Sequence, residues 1–529
     1  MSNFASAFYD TARLSIALLL AAGAWTVYKN YTNPLWRLNG PPSPSFIWGN
    51  VKELTAAPTA PGWIKQYGRA ITHSMFFGRP RLMITDPKAV AHLLNHARDY
   101  PKHEGQRYAL SRMVGPGVLV VEGDEHKRQR RVMNPAFGNS YVKELVPTFF
   151  DKSFQLRDIL AQGCASSPEG YQSNSVNWLS NVALDIIGLA GFGYDFHALD
   201  ANAGTNELQV AFSAISANGA GPLRMLQALV PIFRLLPSRN ATILVGAQKT
   251  MDRIGSTLLS EAKALIALGD KVSTTGRDMF SLLVKANTSP DLPEHQRLSD
   301  KDVITQVPTF FVAGHETTAT AITWMLYALT RKPEIQKKLR EELLAVPTDT
   351  LSAEDLSALP YLDCVLRETL RLHAPVIFTQ RVATKADILP LSEPIIDRSG
   401  EALDGIPVQA GDLVAISLLS MNTDTKLWGE DALEFKPERW EAPPTEISAI
   451  PGVWSNVMTF LGGPRACIGY RFSIVEAKAI VFTLLRAFGF ELAVKHEDIV
   501  SFSSIVQRPY VKNEMAAGSQ LPVIIRPLA

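Results

Sequence analysis

The stretch FLGGPRACIG at residues 460–469 is the most informative part of the sequence for the fold, because its composition can stabilise the deprotonated form of the cysteine it contains. Gly463 and Gly469 flank Cys467 and lack side chains, so backbone N–H groups can approach the sulfur. The helix predicted after the cysteine turns its N-terminus toward the sulfur, and the positive end of the helix dipole favours a deprotonated thiol. The ring of Phe460 can shield the sulfur from water. These features predict a thiolate that binds a metal cofactor.

This stretch resembles the haem-binding loop of the cytochrome P450 family, whose pattern F-x-x-G-x-R-x-C-x-G it matches at every fixed position. The resemblance implies a mainly α fold, with a large helical domain and small β-sheets at one side. It also implies haem b (iron protoporphyrin IX) as the cofactor, with Cys467 as the iron ligand. Phe460, Gly463, Arg465 and Gly469 would then surround the haem. The alternative is a small buried core cysteine, which is typical of a cysteine outside such a loop.

Composition agrees with a globular enzyme. Hydrophobic residues make up 46% of the 529 residues and charged residues 19%, which suffices for a large core. The net charge of +1 gives no general attraction to nucleic acid, so no nucleic-acid partner is predicted. The three cysteines, Cys164, Cys364 and Cys467, lie far apart. Their spacing excludes a disulfide framework and a clustered zinc or iron–sulfur site.

The N-terminus predicts a membrane anchor over residues 1–33. Leu14–Tyr28 carries no charge, and as a helix it would rise about 22 Å, somewhat less than the ~30 Å hydrocarbon core. Arg13 and Lys29 can extend toward the lipid headgroups and compensate for the short span. A cleaved signal peptide ending near Ala22–Ala24 and a buried helix are the alternatives.

A proline-rich hinge over residues 34–44 should fix the direction of the anchor relative to a catalytic domain at residues 45–529. With the resemblance, this organisation implies a single-pass protein of the endoplasmic reticulum membrane with a cytosolic catalytic domain. The apolar segment Leu223–Leu236 is either core or a lid over a hydrophobic site that also dips into the membrane surface.

Hydrophobic periodicity and capping signals place the main elements. A Ser299–Asp302 capping box and Pro333 bound a long helix, and Pro308 within it predicts a local bend. The predicted helices span about Asp300–Arg331, Tyr361–His373 and the residues from just after Cys467 through Ile480 toward Phe488, and the predicted strands are Ser74–Phe77, Arg81–Thr85 and further short strands after Pro375.

The long helix contains AGHETT, which resembles the oxygen-activation segment of the family. Ala313 and Gly314 are small enough to leave room for dioxygen and substrate beside the haem. Glu316 and Thr317 supply an acid and a hydroxyl that can deliver protons. His315 occupies a variable position of the pattern and is predicted to be a packing or polar-network residue.

Glu368 and Arg371 lie three residues apart on the second helix and can pair. By themselves they would be an ordinary solvated pair. The segment FKPERW at residues 435–440 resembles the family pattern that adds Arg439 to this pair. The resemblance then implies a buried ion network that supports the cysteine loop.

Further residues are candidates for holding the haem propionates. His126 and Arg130 lie four apart on one predicted helix face and resemble the family's W-x-x-x-R pair, with histidine in place of tryptophan. Arg381 matches a third propionate contact of the family, and Arg465 is suited to bind a carboxylate. The neighbouring basic residues, Lys127, Arg128 and Arg131, are either a solvated face or a docking site for an acidic reductase.

The resemblance implies a monooxygenase that inserts one oxygen atom from O2 into a hydrophobic small molecule. The chain has no flavin or nicotinamide fingerprint, so a separate NADPH–cytochrome P450 reductase is required, with cytochrome b5 as a further candidate donor. Several segments look most like fungal microsomal members, which favours secondary metabolism and a terpenoid substrate. The alternatives are a reductase-independent haem-thiolate isomerase or dehydratase, a non-enzymatic electron-transfer or sensor protein, and a structural membrane protein without haem.

Overall fold

The structure, a computed structural model, describes residues 23–56, 59–200, 239–267, 278–503 and 506–528, with short stretches within 13–21 and 206–234. The helices are α1 (Val51–Ala56), α2 (Ala60–Tyr67), α3 (Pro87–Asn95), α4 (Glu104–Val114), α5 (Gly123–Met133), α6 (Asn139–Glu144), α7 (Val146–Ala165), α8 (Ser175–Phe192), α9 (Arg239–Ala267), α10 (Met279–Thr288), α11 (Asp300–Ile304), α12 (Gln306–Arg331), α13 (Pro333–Leu344), α14 (Ala353–Ser357), α15 (Pro360–Leu372), α16 (Leu418–Asn422), α17 (Thr425–Trp428) and α18 (Tyr470–Ala487). The strands are β1 (Ala70–Ser74), β2 (Pro80–Ile84), β3 (Tyr171–Asn174), β4 (Phe378–Val382), β5 (Asp387–Ile396), β6 (Ala402–Val408), β7 (Leu413–Ser417), β8 (Phe488–Leu492), β9 (Ile499–Ser503), β10 (Gln507–Val511) and β11 (Pro522–Pro527).

The strands form small sheets beside a helical body, as the sequence predicts. In the four-stranded sheet the order is β1-β2-β7-β4, with β2 and β7 parallel and the outer pairs antiparallel. A three-stranded sheet has the order β3-β11-β8, and β5–β6 and β9–β10 form two-stranded sheets. The main core lies among α7, α8, α12 and α18, and a second core lies against the four-stranded sheet.

The long central helix has the predicted signals and the predicted bend. Ser299 and Asp302 form the reciprocal capping box at the start of α11. The helix is interrupted at Thr305, three residues before Pro308, because proline cannot donate a backbone hydrogen bond. It resumes as α12, packs along α8, and ends before Pro333. The body of α12 therefore runs through the main core, where it packs against α8.

One predicted strand is misplaced. The residues predicted as a strand over Ser74–Phe77 include only the last residue of β1, and Phe76–Gly78 forms a 3-10 turn. Phe77 adopts a positive φ of 54°, which a strand does not allow. The aromatic, β-favouring composition of this stretch therefore reflects an exposed turn and not an extended segment.

The proline-rich segment packs on the sheet side of the body. Leu35 and Leu38 are buried in the second core, and the side chain of Asn33 donates to Asp412 Oδ1 at 2.6 Å. A Cβ on Gly40 would lie 2.0 Å from the carbonyl oxygen of Thr72, so only glycine permits this approach. These contacts fix the direction in which the chain leaves the body toward its N-terminus.

Of the predicted anchor, Leu14–Tyr28, only part is described, and residues 23–31 are helical. Within the described residues, no helix combines the length and the apolar character needed to cross a membrane. The segment Leu223–Leu236, predicted as core or lid, lies almost entirely outside the described residues.

Candidate active site

A cavity of about 190 Å³ lies between α12, α5 and the loop that carries Cys467. The walls are mostly apolar, and the polar groups that reach the cavity come from α5, α12, α18, the cysteine loop and the loop that carries Lys102. Its apolar lining is Val118, Leu119, Phe137, Ile187, Phe310, Ile468 and Phe472.

The Cys467 side chain is accessible from this cavity although protein atoms surround it. Its N–H donates to the carbonyl oxygen of Phe460 at 2.8 Å, and the N–H of Gly469 donates to the sulfur. Burial raises the pKa of the thiol, while the Gly469 N–H and the charge of Arg130 act in the opposite direction. The loop therefore already provides the interactions that stabilise a thiolate.

The loop geometry explains its glycines differently from the sequence prediction. Gly463 has a φ of +66°, and a Cβ there would lie 3.0 Å from the carbonyl oxygen of Leu94. A Cβ on Gly469 would make only ordinary contact with Phe137, at 3.6 Å. Gly463 is thus required by the turn and its packing on α3, while Gly469 contributes through its N–H.

The predicted shield, Phe460, forms part of an aromatic cluster next to the loop. Its ring centroid lies 5.7 Å from that of Trp454 and 6.0 Å from that of Tyr470, the first residue of α18. Phe460 therefore joins the segment before the cysteine to the helix after it.

On α12, Ala313 and Thr317 lie one turn apart and both line the cavity. The Thr317 hydroxyl donates to the carbonyl oxygen of Ala313 at 2.6 Å. Gly314 also borders the cavity, and a Cβ there would lie 2.9 Å from Cδ1 of Ile187 on α8. The small residues of this turn therefore leave open space at Ala313 and allow close helix packing at Gly314.

Glu316 and His315, which precede Thr317 on α12, have their partners outside the cavity. Glu316 forms an ion pair with Arg508 on β10 and does not line the cavity. His315 Nε2 lies 2.7 Å from the Ser180 hydroxyl, and burial together with Arg508 lowers the pKa of His315 to about 4. His315 is thus a polar-network residue, as the sequence predicts.

Basic side chains gather at the other end of the cavity. Arg465 borders the cavity, donates to the carbonyl oxygen of Val121 at 2.8 Å, and pairs with Glu122. Lys102 also borders it, with its Nζ 3.6 Å from Glu122. Burial lowers the pKa of Arg465 to about 10, and the positive charge of Arg107 acts in the same direction.

The α5 pair, His126 and Arg130, also lines the cavity. Arg130 donates to the carbonyl oxygen of Ala466 at 2.6 Å and to Asn134 Oδ1 at 3.1 Å. Burial, Lys102 and Arg130 lower the pKa of His126 to about 4, so the imidazole is neutral at physiological pH and keeps one N–H donor.

Arg381 lies on β4, buried near Lys102. It donates to the Thr379 hydroxyl at 2.7 Å and to the carbonyl oxygen of Gln380 at 2.9 Å. Burial lowers its pKa to about 10, and no carboxylate within the described residues forms an ion pair with it.

These observations test whether haem fits. Lys102, Arg130 and Arg465 line one end of the cavity, and Arg381 lies close to Lys102. The carboxylate of Glu122 pairs with Lys102 and Arg465, while Arg130 and Arg381 have no such partner in the described part of the chain. The excess of positive charge would be compensated by an anionic ligand such as the haem propionates. Apolar walls and an accessible cysteine sulfur complete a site whose chemistry fits haem.

The buried ion network forms around Glu368. Arg371 binds both of its carboxylate oxygens, at 2.8 and 2.9 Å, and Arg439 Nε lies 3.4 Å from Oε1. The indole N–H of Trp440 donates to Oε2 at 3.1 Å. The backbone N–H of Lys436 donates to Oε1 at 3.0 Å, so both oxygens have several partners.

Asn422 connects this network to the cysteine loop. Arg371 donates to its carbonyl oxygen at 2.8 Å, and its side chain accepts from the N–H of Met458 at 2.8 Å and donates to Thr459 at 3.0 Å. The Thr459 hydroxyl donates back to the carbonyl oxygen of Leu370 on α15 at 2.6 Å. The residues just before Phe460 are therefore tied to α15.

The sequence analysis did not identify Lys102 or Arg508. Lys102 belongs to a loop without a recognisable pattern, and Arg508 lies 192 positions after Glu316 by residue number. Only the folded topology brings these cations to the site, so no local signal could have indicated them.

Comparison with known proteins agrees with this geometry. The cytochrome P450 family model matches residues 40–512. Cytochrome P450 monooxygenases 205 and 128 of Postia placenta are each 46% identical, covering 96% and 95% of this chain respectively and 96% of their own lengths. Ganoderic acid synthetase of Ganoderma lucidum is 33% identical, covering 91% of this chain and 93% of its own. The chain therefore belongs to the cytochrome P450 family and is a haem-binding monooxygenase that uses O2, a redox partner and a hydrophobic substrate.

Proposed function

We propose that Cys467 is the thiolate ligand of the haem iron and that Thr317, supplied through Glu316, delivers protons to oxygen bound in the cavity. The observation that supports this best is the shared cavity, which brings the Cys467 sulfur, the Ala313–Thr317 turn and a group of basic side chains together. When bound, the haem supplies the activation of dioxygen.

The residues around the cavity would orient the substrate, exclude water and supply protons. Phe310, Phe137 and Ile187 exclude water from the space next to Ala313. The Thr317 hydroxyl, which now donates to Ala313, can rotate to donate into the cavity. Glu316 can take up a proton and pass it to Thr317 only when its ion pair with Arg508 opens, because the guanidinium favours the ionised carboxylate.

The propionates would be held by Arg130, Arg381, Arg465 and Lys102, with neutral His126 as an additional N–H donor. In this arrangement Arg465 exchanges part of its contact with Glu122 for a propionate. Binding of haem would thus supply negative charge beside Arg381 and Arg465, whose pKa values burial lowers.

The electron donor is proposed to be an NADPH–cytochrome P450 reductase, with cytochrome b5 as a further donor. Lys127 and Arg131 are exposed on α5 and border one concave surface with Gly463 and Pro464 of the cysteine loop. Arg128 differs, because it pairs with Glu125 and with Asp302 of α11. Lys127 and Arg131 are therefore the proposed docking residues for an acidic partner.

Attachment to the endoplasmic reticulum membrane is proposed from exposed aromatic residues near the N-terminus. Trp25 and Tyr28 are 65% and 59% exposed on the helix at residues 23–31, and Phe46 and Phe77 are 51% and 50% exposed. Phe46 and Phe77 contact each other, with centroids 6.2 Å apart, and the Tyr31 ring lies beside Gly78. Such residues suit a membrane interface. We therefore propose that the N-terminal helix is part of a membrane anchor and that the catalytic domain lies on the cytosolic side of the membrane.

The substrate is proposed to be a terpenoid skeleton that is hydroxylated in fungal secondary metabolism. The apolar cavity supports a hydrophobic substrate, and the similarity to ganoderic acid synthetase supports secondary metabolism.

Co-expression with a fungal reductase tests the proposal. Candidate terpenoid scaffolds and apolar non-terpenoid controls of similar size are incubated with NADPH and O2, and products are identified by mass. We expect an added oxygen atom on a terpenoid, dependent on both NADPH and reductase. Product formation without NADPH would support an isomerase or dehydratase instead, and oxidation of the non-terpenoid controls alone would contradict the substrate class.

A further inference from the structure

Glu476 lies on α18, in the helix that follows the Cys467 loop, and it is completely buried. Neither of its carboxylate oxygens completes a hydrogen bond. Its neighbours one turn earlier on the helix, Phe472 and Ser473, line the active-site cavity. A buried acid without a satisfied partner is rare and points to a specific role.

The surroundings of Glu476 disfavour a charged carboxylate. Within the described part of the chain, no Lys, Arg or His nitrogen forms an ion pair with Glu476, and burial raises its pKa well above the ordinary value. An ionised carboxylate here would lose its hydration without compensation, at a cost of several kcal/mol. A protonated carboxyl avoids this cost and carries an O–H donor.

The group that faces Glu476 is Thr318 on α12. Its hydroxyl lies close enough to the carboxyl group to oppose the effect of burial on the Glu476 pKa. Thr318 Oγ1 is itself buried and completes no hydrogen bond of good geometry. Two unsatisfied polar groups on different helices thus face each other inside the core, and each is the available partner of the other.

We propose that Glu476, as an uncharged carboxyl group, is a positioning residue that hydrogen-bonds Thr318 and fixes the rotation of α12 about its axis. Thr318 follows Thr317 directly, and consecutive residues of a helix are about 100° apart around it. Holding Thr318 toward α18 therefore holds Thr317 and Ala313 toward the cavity. The consequence for catalysis rests on the proposed role of Thr317.

Infrared difference spectroscopy tests the protonation and the contact without any turnover. Spectra of the purified holoprotein at neutral pH should contain the C=O stretch of a buried protonated carboxylic acid. The band should be absent in Glu476→Gln and shifted in Thr318→Val, which removes the hydroxyl but keeps the shape. A wild-type spectrum identical to that of Glu476→Gln, or a band that does not move in Thr318→Val, would overturn the inference.

Variants of similar volume test the positioning role. Glu476→Leu should lower the product formed per NADPH consumed by about fivefold, which corresponds to one neutral hydrogen bond. Glu476→Gln keeps an uncharged hydrogen-bonding group and should restore most of this coupling. The Leu variant should unfold at about the same temperature, because it exchanges a buried polar group for an apolar side chain of similar volume.

Thr323→Val is the matched control for Thr318→Val. Thr323 is also buried on α12, but its hydroxyl donates to Ala319 of the same helix at 2.8 Å. We expect Thr318→Val to uncouple the reaction and Thr323→Val not to. Equal effects of the two variants, or a Leu variant that couples like the wild type, would contradict the positioning role. Absence of any wild-type oxidation would refute the proposed function and leave the infrared result standing.

Discussion

At the scale of single residues, the chemistry depends on the few polar side chains that reach an apolar cavity. Thr317 is placed there by α12, and its hydroxyl is held by its own helix through Ala313. Glu316, one position earlier, is directed to Arg508 instead. The acid and the hydroxyl therefore have different partners, and of the two only the hydroxyl lines the cavity.

Thr317→Ala should uncouple electron consumption from product formation. Without the hydroxyl, the delivery of protons to bound oxygen is impaired. Hydrogen peroxide should therefore be released while NADPH is still consumed. We expect product per NADPH to fall about a hundredfold, the lower end of the contribution of a general acid–base group. Thr330→Ala is the control, because that hydroxyl bonds Tyr327 near the end of α12. Unchanged coupling in Thr317→Ala would contradict the proton-delivery role.

His373 predicts a dependence of stability on pH. Its ring stacks on Trp324 with centroids 4.9 Å apart, and burial with Arg331 and Arg371 lowers its pKa to about 4. The unfolded chain binds a proton near pH 6.5 and the folded protein does not, so stability falls as the pH drops from about 6.5 toward 4.

His373→Phe should keep the stacking and remove this titration. Between pH 6.5 and pH 4 the unfolding free energy of the variant should therefore fall by about 3 kcal/mol less than that of the wild type, as measured by urea unfolding. Replacing the exposed His496 with Phe should leave the pH dependence unchanged. An identical pH profile for His373→Phe and the wild type would show that His373 is not held neutral.

At the scale of elements, hydrogen bonds connect the segment before the cysteine loop to the Glu368 network on α15. Glu368 and Arg371 are completely buried on α15. Arg371 donates to the carbonyl oxygen of Asn422, whose side chain forms hydrogen bonds with Met458 and Thr459. The loop therefore depends on charges that water does not reach.

Glu368→Gln should destabilise the protein by about 3–5 kcal/mol, because Arg371 and Arg439 would be left with uncompensated charge in the core. Urea unfolding of the holoprotein measures the change. The matched control is Glu354→Gln, which removes an exposed pair with Lys143 and should have no measurable effect. A Glu368→Gln variant as stable as Glu354→Gln would contradict a supporting role for the network.

Elements were predictable where a local signal marks them. The capping box at Ser299 and the prolines at 308 and 333 locate the central helix, because caps and proline act within a few residues. Strand β1 was misplaced because the positive φ of Phe77 has no distinct signature in a run of aromatic residues. Arg465 was predicted at the site, but its pairing with Glu122 was not, since 343 positions separate them.

At the scale of the whole molecule, two surfaces of different character are present. Lys127 and Arg131 lie near the outer side of the cysteine loop, while exposed aromatic residues lie near the N-terminal helix and β1. The net charge of only +1 means that attraction of an acidic partner has to come from a local basic surface.

The double variant Lys127→Glu/Arg131→Glu should raise the KM for the reductase about tenfold at low salt, because charge complementarity mainly accelerates association. The difference should shrink as ionic strength rises, and kcat at saturating reductase should change little. Lys337→Glu, an exposed lysine on α13, is the control. A KM that is unaffected by the double variant would place the docking surface elsewhere.

The central claim is that Cys467 binds the haem iron through its sulfur. The absorption spectrum of the reduced carbon-monoxide complex tests it directly, because thiolate ligation shifts the main band to longer wavelength than nitrogen ligation does. We predict this shifted band for the wild type and its loss in Cys467→His, with haem still bound. A wild-type protein without the shifted band, or a Cys467→His variant that retains it, would contradict the account.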